Sequence, residues 1–568
     1  MTLLRNTPQR AYWFVALAVF ACVAALQTDA RAQTTLIRET VPTSLTPSSN
    51  VNTNAAKSSA ATLVEQSIFQ GSQLEANQQW GEALVHYEQA VKDYPQDENL
   101  NARLLNAKVH YDLQRRYLDP SYVRAVLRGD QRTSLETYAE VLLKIQSHYV
   151  DDPDWLAFAR RGFNNLDVAL FDTAFQQQHL QTVSYEELHR AQQVLHQQLG
   201  GKTIVSRQDL YQFAVQASQI LRREINLTEP AAIHEFISGT VGALDPYSAY
   251  LTASQFNETM NHIEGNFVGL GVEIRPTQSV LEIVDVIKGG PASEGGIRRG
   301  DQIVSIDGKR VTDLGGDVAA DLLRGLEGST VALEIARADV SPFQLTLLRR
   351  RVDIPSVEEA RIVDQQYGIG YIKLVNFQKT TLQDFDNALW KLHREGMQSL
   401  IVDLRGNPGG LLNAAVDLAD RFIASGVIVS TRGRNPQEDY VHRAHAQGTW
   451  GVPLTVLIDG NSASASEILA GAVHDHRRGT VVGQQSYGKG SVQGIFPLSL
   501  SGGGMRLTTA KFYSPLGTAI SHRGITPDVA VTVTRRVSDQ TLAEGGEQRD
   551  DTMNAGIRVA REKVAVRK

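Results

Sequence analysis

The spacing of apolar residues changes several times along the chain. An unbroken apolar run covers Ala11 to Leu26, and residues 33–60 are rich in Ser, Thr, Asn and Pro. From Leu63 the apolar positions fall three and four apart, the spacing of helices with one buried face. Helical spacing continues to about residue 255, with Leu142, Leu143, Ile145 and Tyr149 on recurring positions. Near residue 256 the period drops to two. Val272, Ile274, Leu281, Ile283, Val284 and Val286 are followed by Gly-Asp at 300–301 and Asp307-Gly308, which are strand and turn signals. A helix near 317–325 and a strand at 330–336 complete a small β-rich module. From 368 onward short apolar strands alternate with helical stretches near 381–395, 411–424 and 464–476, the pattern of an α/β core. The charged residues after about 535 predict a peripheral helix or tail.

The pattern divides the chain into a leader at 1–32, a flexible linker at 33–60, a helical hairpin at 61–116 and a helical segment at 117–255. A β-rich module at 256–352, an α/β core at 353–535 and a charged tail at 536–568 follow. Arg5 and Arg10 precede the first apolar run and Ala30-Arg31-Ala32 follows it, so the leader reads as a secretory signal cut before Gln33. The run is short for a membrane span, yet an uncleaved signal would leave the protein membrane-anchored. A secreted or periplasmic location is the expectation either way. In the hairpin, Gly71, Leu74, Trp80, Ala83, Tyr87, Ala90 and Pro95 occupy the small and aromatic positions of a tetratricopeptide-like unit. One unit makes a hairpin rather than a solenoid, and it could seat an adaptor.

Composition narrows the chemistry. At 568 residues the chain is long enough for roughly three to five domains. With 56 basic against 62 acidic residues, it carries no global footprint for nucleic acid. Its single cysteine, Cys22, lies inside the apolar leader. A mature chain without it has no thiol nucleophile, no disulfide and no Cys-rich metal site.

Three segments of the core carry candidate chemistry. Asn461-Ser462-Ala463-Ser464-Ala465-Ser466-Glu467 joins a strand to a helix. There Ser464 is either a helix cap, as Ser464-x-x-Glu467 suggests, or a nucleophile whose neighbouring amide holds an oxyanion. Such a serine needs a base. His442, His445, His474 and His476 stand in no convincing frame. Ser486-Tyr487-Gly488-Lys489-Gly490-Ser491-Val492-Gln493 offers Lys489, with Ser491 and Gln493 on the same face if the segment is extended. Burial would lower the lysine pKa and make its amine a base. Asp403-Leu404-Arg405-Gly406-Asn407-Pro408-Gly409-Gly410 is a tight strand-to-helix turn, or the source of a second oxyanion amide.

Together, in this order, these motifs resemble the carboxyl-terminal processing proteases, the tail-specific Ser-Lys endopeptidases of the S41 type. Leu244-Asp245-Pro246-Tyr247-Ser248-Ala249-Tyr250-Leu251, Leu507-Thr508-Thr509-Ala510 and Gly524-Ile525-Thr526-Pro527-Asp528 add to the match, which covers about residues 130–535. The resemblance implies a multidomain α+β chain: an α/β crotonase-like protease core, an inserted β-rich PDZ domain and an N-terminal α-helical region. It implies Ser464 as nucleophile, Lys489 as general base and Gln493 as the residue that orients it. The oxyanion hole falls to the amides of Ala465 and Gly410, with Gly409 as the alternative. Gly269, Leu270, Gly271 and Val272 become a carboxylate-binding loop, with Val318 and Leu322 lining the groove. The implied substrates are proteins with exposed, often apolar C-terminal tails, with no metal or organic cofactor, and a homo-oligomer is open. Two other readings stay open: an inactive PDZ and repeat scaffold, and a Ser-His-Asp hydrolase using His474 or His522. The hairpin at 61–116 is not part of the family core.

Overall fold

The computed structural model describes residues 53–277, 279–314, 316–532 and 550–567. The expected signal at 1–32, most of the linker and the start of the tail lie outside them. Helix Thr53–Ala76 begins inside the stretch expected as linker. It packs with Trp80–Asp93 and Glu98–Leu118 around Ala83, Tyr87, Ala90, Leu100 and Ala107. Gly71 is needed there: a Cβ on it would lie 2.2 Å from the Tyr87 ring. The third helix belongs to two layers. Its Val109, Leu113 and Tyr117 face the larger helical core, which extends through the helix Glu229–Gly242. At the centre of that core Glu235 is fully buried, where an unpaired charge would be costly. It accepts from Arg116 (2.5 Å), Tyr122 (2.8 Å) and Asn165 (2.8 Å).

Beyond the helices the chain enters strand Ala249–Leu251, which pairs antiparallel with Gly504–Tyr513 of the core. The β-rich module is an antiparallel sheet in the order Val272–Pro276, Leu281–Val286, Gln302–Ile306, Thr330–Arg337, Val340–Leu348. Val272–Pro276 is its edge, and the helix Gly316–Leu322 lies against that strand.

The core sheet runs Val357–Asp364, Ile369–Leu374, Ser399–Asp403, Leu454–Ile458, Gly479–Gly483, Val529–Ala530. The first pair is antiparallel and the rest parallel. Strands Ser399–Asp403 and Leu454–Ile458 are buried at every residue, which is why they read as unbroken apolar runs. Helices Thr381–Arg394, Leu412–Asp420 and Ala465–Asp475 share one apolar cluster with the sheet. The other face packs Ile369, Ile401, Leu457 and Val482 against Ala555 and Ala560 of the C-terminal helix Asp551–Arg567. A second sheet built on Gly504–Tyr513 joins the core to the helical region. The whole is the multidomain α+β arrangement expected.

Candidate active site

Three loops leave the carboxyl ends of adjacent parallel strands and meet. This is where open α/β sheets bind ligands. The turn after Leu454–Ile458 carries Ser464, half-exposed, with φ 55° and ψ −113°. A non-glycine residue in such a conformation carries about 1–3 kcal/mol of strain, and strain of this kind gathers at functional sites. Helix Ala465–Asp475 starts at the next residue, so its unpaired amides and partial positive charge face the serine.

The loop after Ser399–Asp403 runs beside it. Ala463 donates its N–H to the Asn407 carbonyl (3.1 Å), and Ser466 Oγ donates to the same oxygen (3.0 Å). Gly409 lies so close that a Cβ on it would stand 2.8 Å from Ser464 Cβ. Its N–H donates to Asn407 Oδ1 (2.9 Å). Gly410 has φ 142°, and a Cβ there would strike the Phe377 carbonyl oxygen at 1.9 Å. The Ala465 and Gly410 amides donate to no protein acceptor among the described residues. Of the two glycines, then, Gly410 has the available donor and Gly409 does not.

The third loop follows Gly479–Gly483 and carries Lys489 ahead of strand Ser491–Pro497. Glu467, fully buried, binds this loop to the serine turn. Its Oε2 accepts from the Ser464 N–H (2.7 Å) and the Lys489 N–H (2.9 Å). Its Oε1 accepts from the Gly488 N–H (2.7 Å) and Ser486 Oγ (2.6 Å). Burial raises the Glu467 pKa, and these four hydrogen bonds pull it back. The sequence showed Glu467 only as a capping residue. It does bind the cap amide, but its remaining partners are about twenty residues further on.

Burial, helped by the nearby Arg506 charge and opposed by Glu467 and Asp245, lowers the Lys489 pKa to about 8. The Lys489 Nζ lies 4.8 Å from the centre of the Tyr247 ring. Gln493 donates through Nε2 to Ser491 Oγ (2.9 Å) and more loosely to Thr508 Oγ1 (3.4 Å). Thr508 Oγ1 in turn donates to Asp245 Oδ1 (3.0 Å). The segment Leu244–Leu251, which belongs to the helical region in sequence, therefore reaches the site. His474, at the far end of the helix Ala465–Asp475, pairs with Asp475 (2.9 Å). His522 donates its backbone N–H to the Gly488 carbonyl (2.8 Å). His445 pairs with Asp420 (3.2 Å).

In the β-rich module, Gly271 has φ 74° and the amides of Leu270 and Gly271 donate to no protein acceptor among the described residues. The Leu270 side chain faces the module's core, so only its backbone is presented. Val272 starts the edge strand, and Val318 and Leu322 are half-buried on the neighbouring helix. An edge strand beside a helix, with open amides at its start, can take an extended peptide as an added strand.

No group of His, Cys, Asp and Glu among the described residues could hold a metal. No helix among them is long and apolar enough to cross a membrane.

The model of peptidase family S41 matches residues 368–531, and a PDZ domain model matches 282–337. A carboxy-terminal-processing protease of Bartonella bacilliformis is 40% identical over 306 residues, covering 53% of this chain and 69% of the relative. A carboxyl-terminal-processing protease of Synechocystis is 37% identical over 293 residues, covering 50% and 68%. Among solved structures, the photosystem II D1 C-terminal processing protease is similar at 24% identity and a TM-score of 0.38, covering 70% of this chain and 93% of that one.

Proposed function

The chain belongs to the carboxy-terminal-processing proteases of peptidase family S41, with a PDZ domain, and we propose that it cleaves by a Ser464–Lys489 dyad. The observation that carries this reading is the shared oxygen of Glu467, which ties the backbones of the two residues together.

The proposed reaction runs as follows. The neutral Lys489 amine takes the Ser464 hydroxyl proton as Oγ attacks the scissile carbonyl. The oxyanion meets the amides of Ala465 and Gly410, which are already oriented and cost no reorganisation. The lysine ammonium passes its proton to the leaving amine. A water then gives up a proton to Lys489 and attacks the acyl-enzyme carbonyl, and the lysine ammonium returns that proton to Ser464 Oγ as the ester bond breaks. Gln493, anchored through its amide nitrogen, keeps its carbonyl oxygen to orient the amine. The pocket needs no cofactor for this sequence.

The substrate is a protein with an exposed, apolar C-terminal tail. The tail adds to strand Val272–Pro276, its carboxylate rests on the Leu270 and Gly271 amides, and Val318 and Leu322 face its side chains. The basic and apolar start of the chain supports work outside the cytoplasm, secreted or periplasmic. The test is cleavage of an unfolded, apolar-tailed protein by wild type, Ser464→Ala and Lys489→Ala. Both variants should lose turnover and keep tail binding. Full activity in either would overturn the dyad.

A further inference from the structure

Tyr247 stands at the site without belonging to the α/β core. Its segment is fixed at several points. The Tyr247 N–H donates to Asp245 Oδ1 (2.8 Å), and its carbonyl accepts from Arg506 Nε (2.8 Å). Asp245 also accepts from Ser248 Oγ (2.6 Å) and Thr508 Oγ1 (3.0 Å). The following residues, Ala249–Leu251, are strand-paired to Gly504–Tyr513. The ring is thus held over the Lys489 Nζ at 4.8 Å.

We propose that Tyr247 is a positioning residue of the hydrolysis: its ring roofs the Lys489 amine and its carbonyl pins Arg506 beside it. The helical region thereby sets the protonation and aim of the core's base. The proposal rests on Lys489 being that base.

Two effects of the ring oppose each other. An aromatic face attracts a cation through its ring quadrupole. The same ring displaces water from the amine, and loss of water penalises the charged form by up to several pKa units in a fully buried lysine. Around Nζ, Arg506 adds repulsion, while the carboxylates of Glu467 and Asp245 favour the ammonium. Tyr487 is hydrogen-bonded to Tyr247. Burial is the largest of these influences on Lys489. Removal of the ring therefore admits water and restores the ammonium. Phenylalanine keeps the roof and gives up only the hydroxyl.

The experiment is kcat/KM against pH, from about pH 6 to about pH 10, for wild type, Tyr247→Phe, Tyr247→Ala and Tyr247→Gln. The Ala and Gln variants should move the acid limb up by about one pH unit, lose about tenfold at pH 7 and recover at alkaline pH. The Phe variant should keep the limb in the wild-type position. The Gln variant, similar in length and polar, carries the measurement if Ala does not fold. A rate lowered by one factor at every pH, with the limb unmoved, would mean that Tyr247 only supports the structure and would overturn the proposal. Lys489→Ala is run alongside. If it keeps full activity the dyad reading itself fails, a result separate from any behaviour of the Tyr247 variants.

Discussion

As the proposed base, Lys489 would serve the reaction at the expense of the fold. In the folded protein its amine titrates near 8, against 10.5 for the ordinary side chain. Between these values the folded state binds fewer protons than the unfolded chain. The fold is therefore least disturbed by Lys489 above 10.5 and loses stability as pH falls toward 8. Below that the deficit is roughly 3 kcal/mol. Lys489→Met should abolish turnover yet raise the melting temperature at pH 7. Calorimetry should show that gain shrinking as pH rises from about 8 to 10.5. If the neutral amine is the base, as proposed, the same titration makes wild-type activity climb through about pH 8. Gly410 is the opposite case, a position where nothing can be added. Gly410→Ala puts a methyl into the Phe377 carbonyl and would displace the proposed oxyanion donor. A loss of about 10²–10³ in kcat is expected, read beside a melting curve to separate catalysis from folding. Ser464, Lys489 and the glycine turn were legible in sequence because each is a local motif. Glu467 was half legible, since its cap bond is local and its bonds to Ser486, Gly488 and Lys489 are not. Tyr247 lies in a local motif, but its place over the amine depends on a pairing between distant strands.

At the scale of elements, periodicity carried most of the core. Strands Ser399–Asp403 and Leu454–Ile458 are buried on both faces, so burial alone made them visible. The C-terminal helix was harder to place because Arg558, Arg561, Glu562 and Lys563 dominate its composition. Its buried face is small, with Ala555, Ala560 and Val564. The polar contact at its start was not visible at all. Asp550 caps the helix through the Met553 N–H (2.9 Å) and grips Arg405 with both oxygens (2.7 and 2.9 Å). Arg405 also binds the buried Asp403 (2.6 Å), at the root of the loop that supplies Gly410. Asp550→Ala removes a cap and one partner of a charged, partly buried hydrogen-bonded pair. The two losses should cost about 2 kcal/mol of stability in denaturant titration. The C-terminal helix should become the first segment to exchange its amide hydrogens.

At the scale of the whole molecule, the boundary between the N-terminal hairpin and the catalytic body does not fall where the repeat pattern ends. The pattern suggests a separable unit over 61–116, yet the helix Glu98–Leu118 faces both ways. Leu100 and Ala107 close the hairpin, whereas Val109, Leu113 and Tyr117 sit in the larger helical core. Arg116 of the same helix neutralises the buried Glu235. The hairpin is fastened at its other end by Trp80 stacked on His110 (3.8 Å), and His110 pairs with Asp172 (2.6 Å). Two truncations should therefore behave differently. A chain starting just before Glu98 loses two helices, with the Trp80 stack, the Glu75–Arg103 ion pair and the packing on Leu100 and Ala107, but keeps the shared helix. It should fold and cleave an unfolded test protein at a rate near that of the full chain. A chain starting after Arg116 leaves Glu235 without its cation, a loss of about 3–5 kcal/mol for a buried pair, and also strips Val109 and Leu113 from the core. It should fail to fold, and Tyr247 and Lys489 should lose their alignment with it, because Tyr247 reaches the site from the helical region. Circular dichroism and turnover on the two truncations decide the matter. A folded, active chain without Glu98–Leu118 would show that the protease body ends later than these contacts indicate.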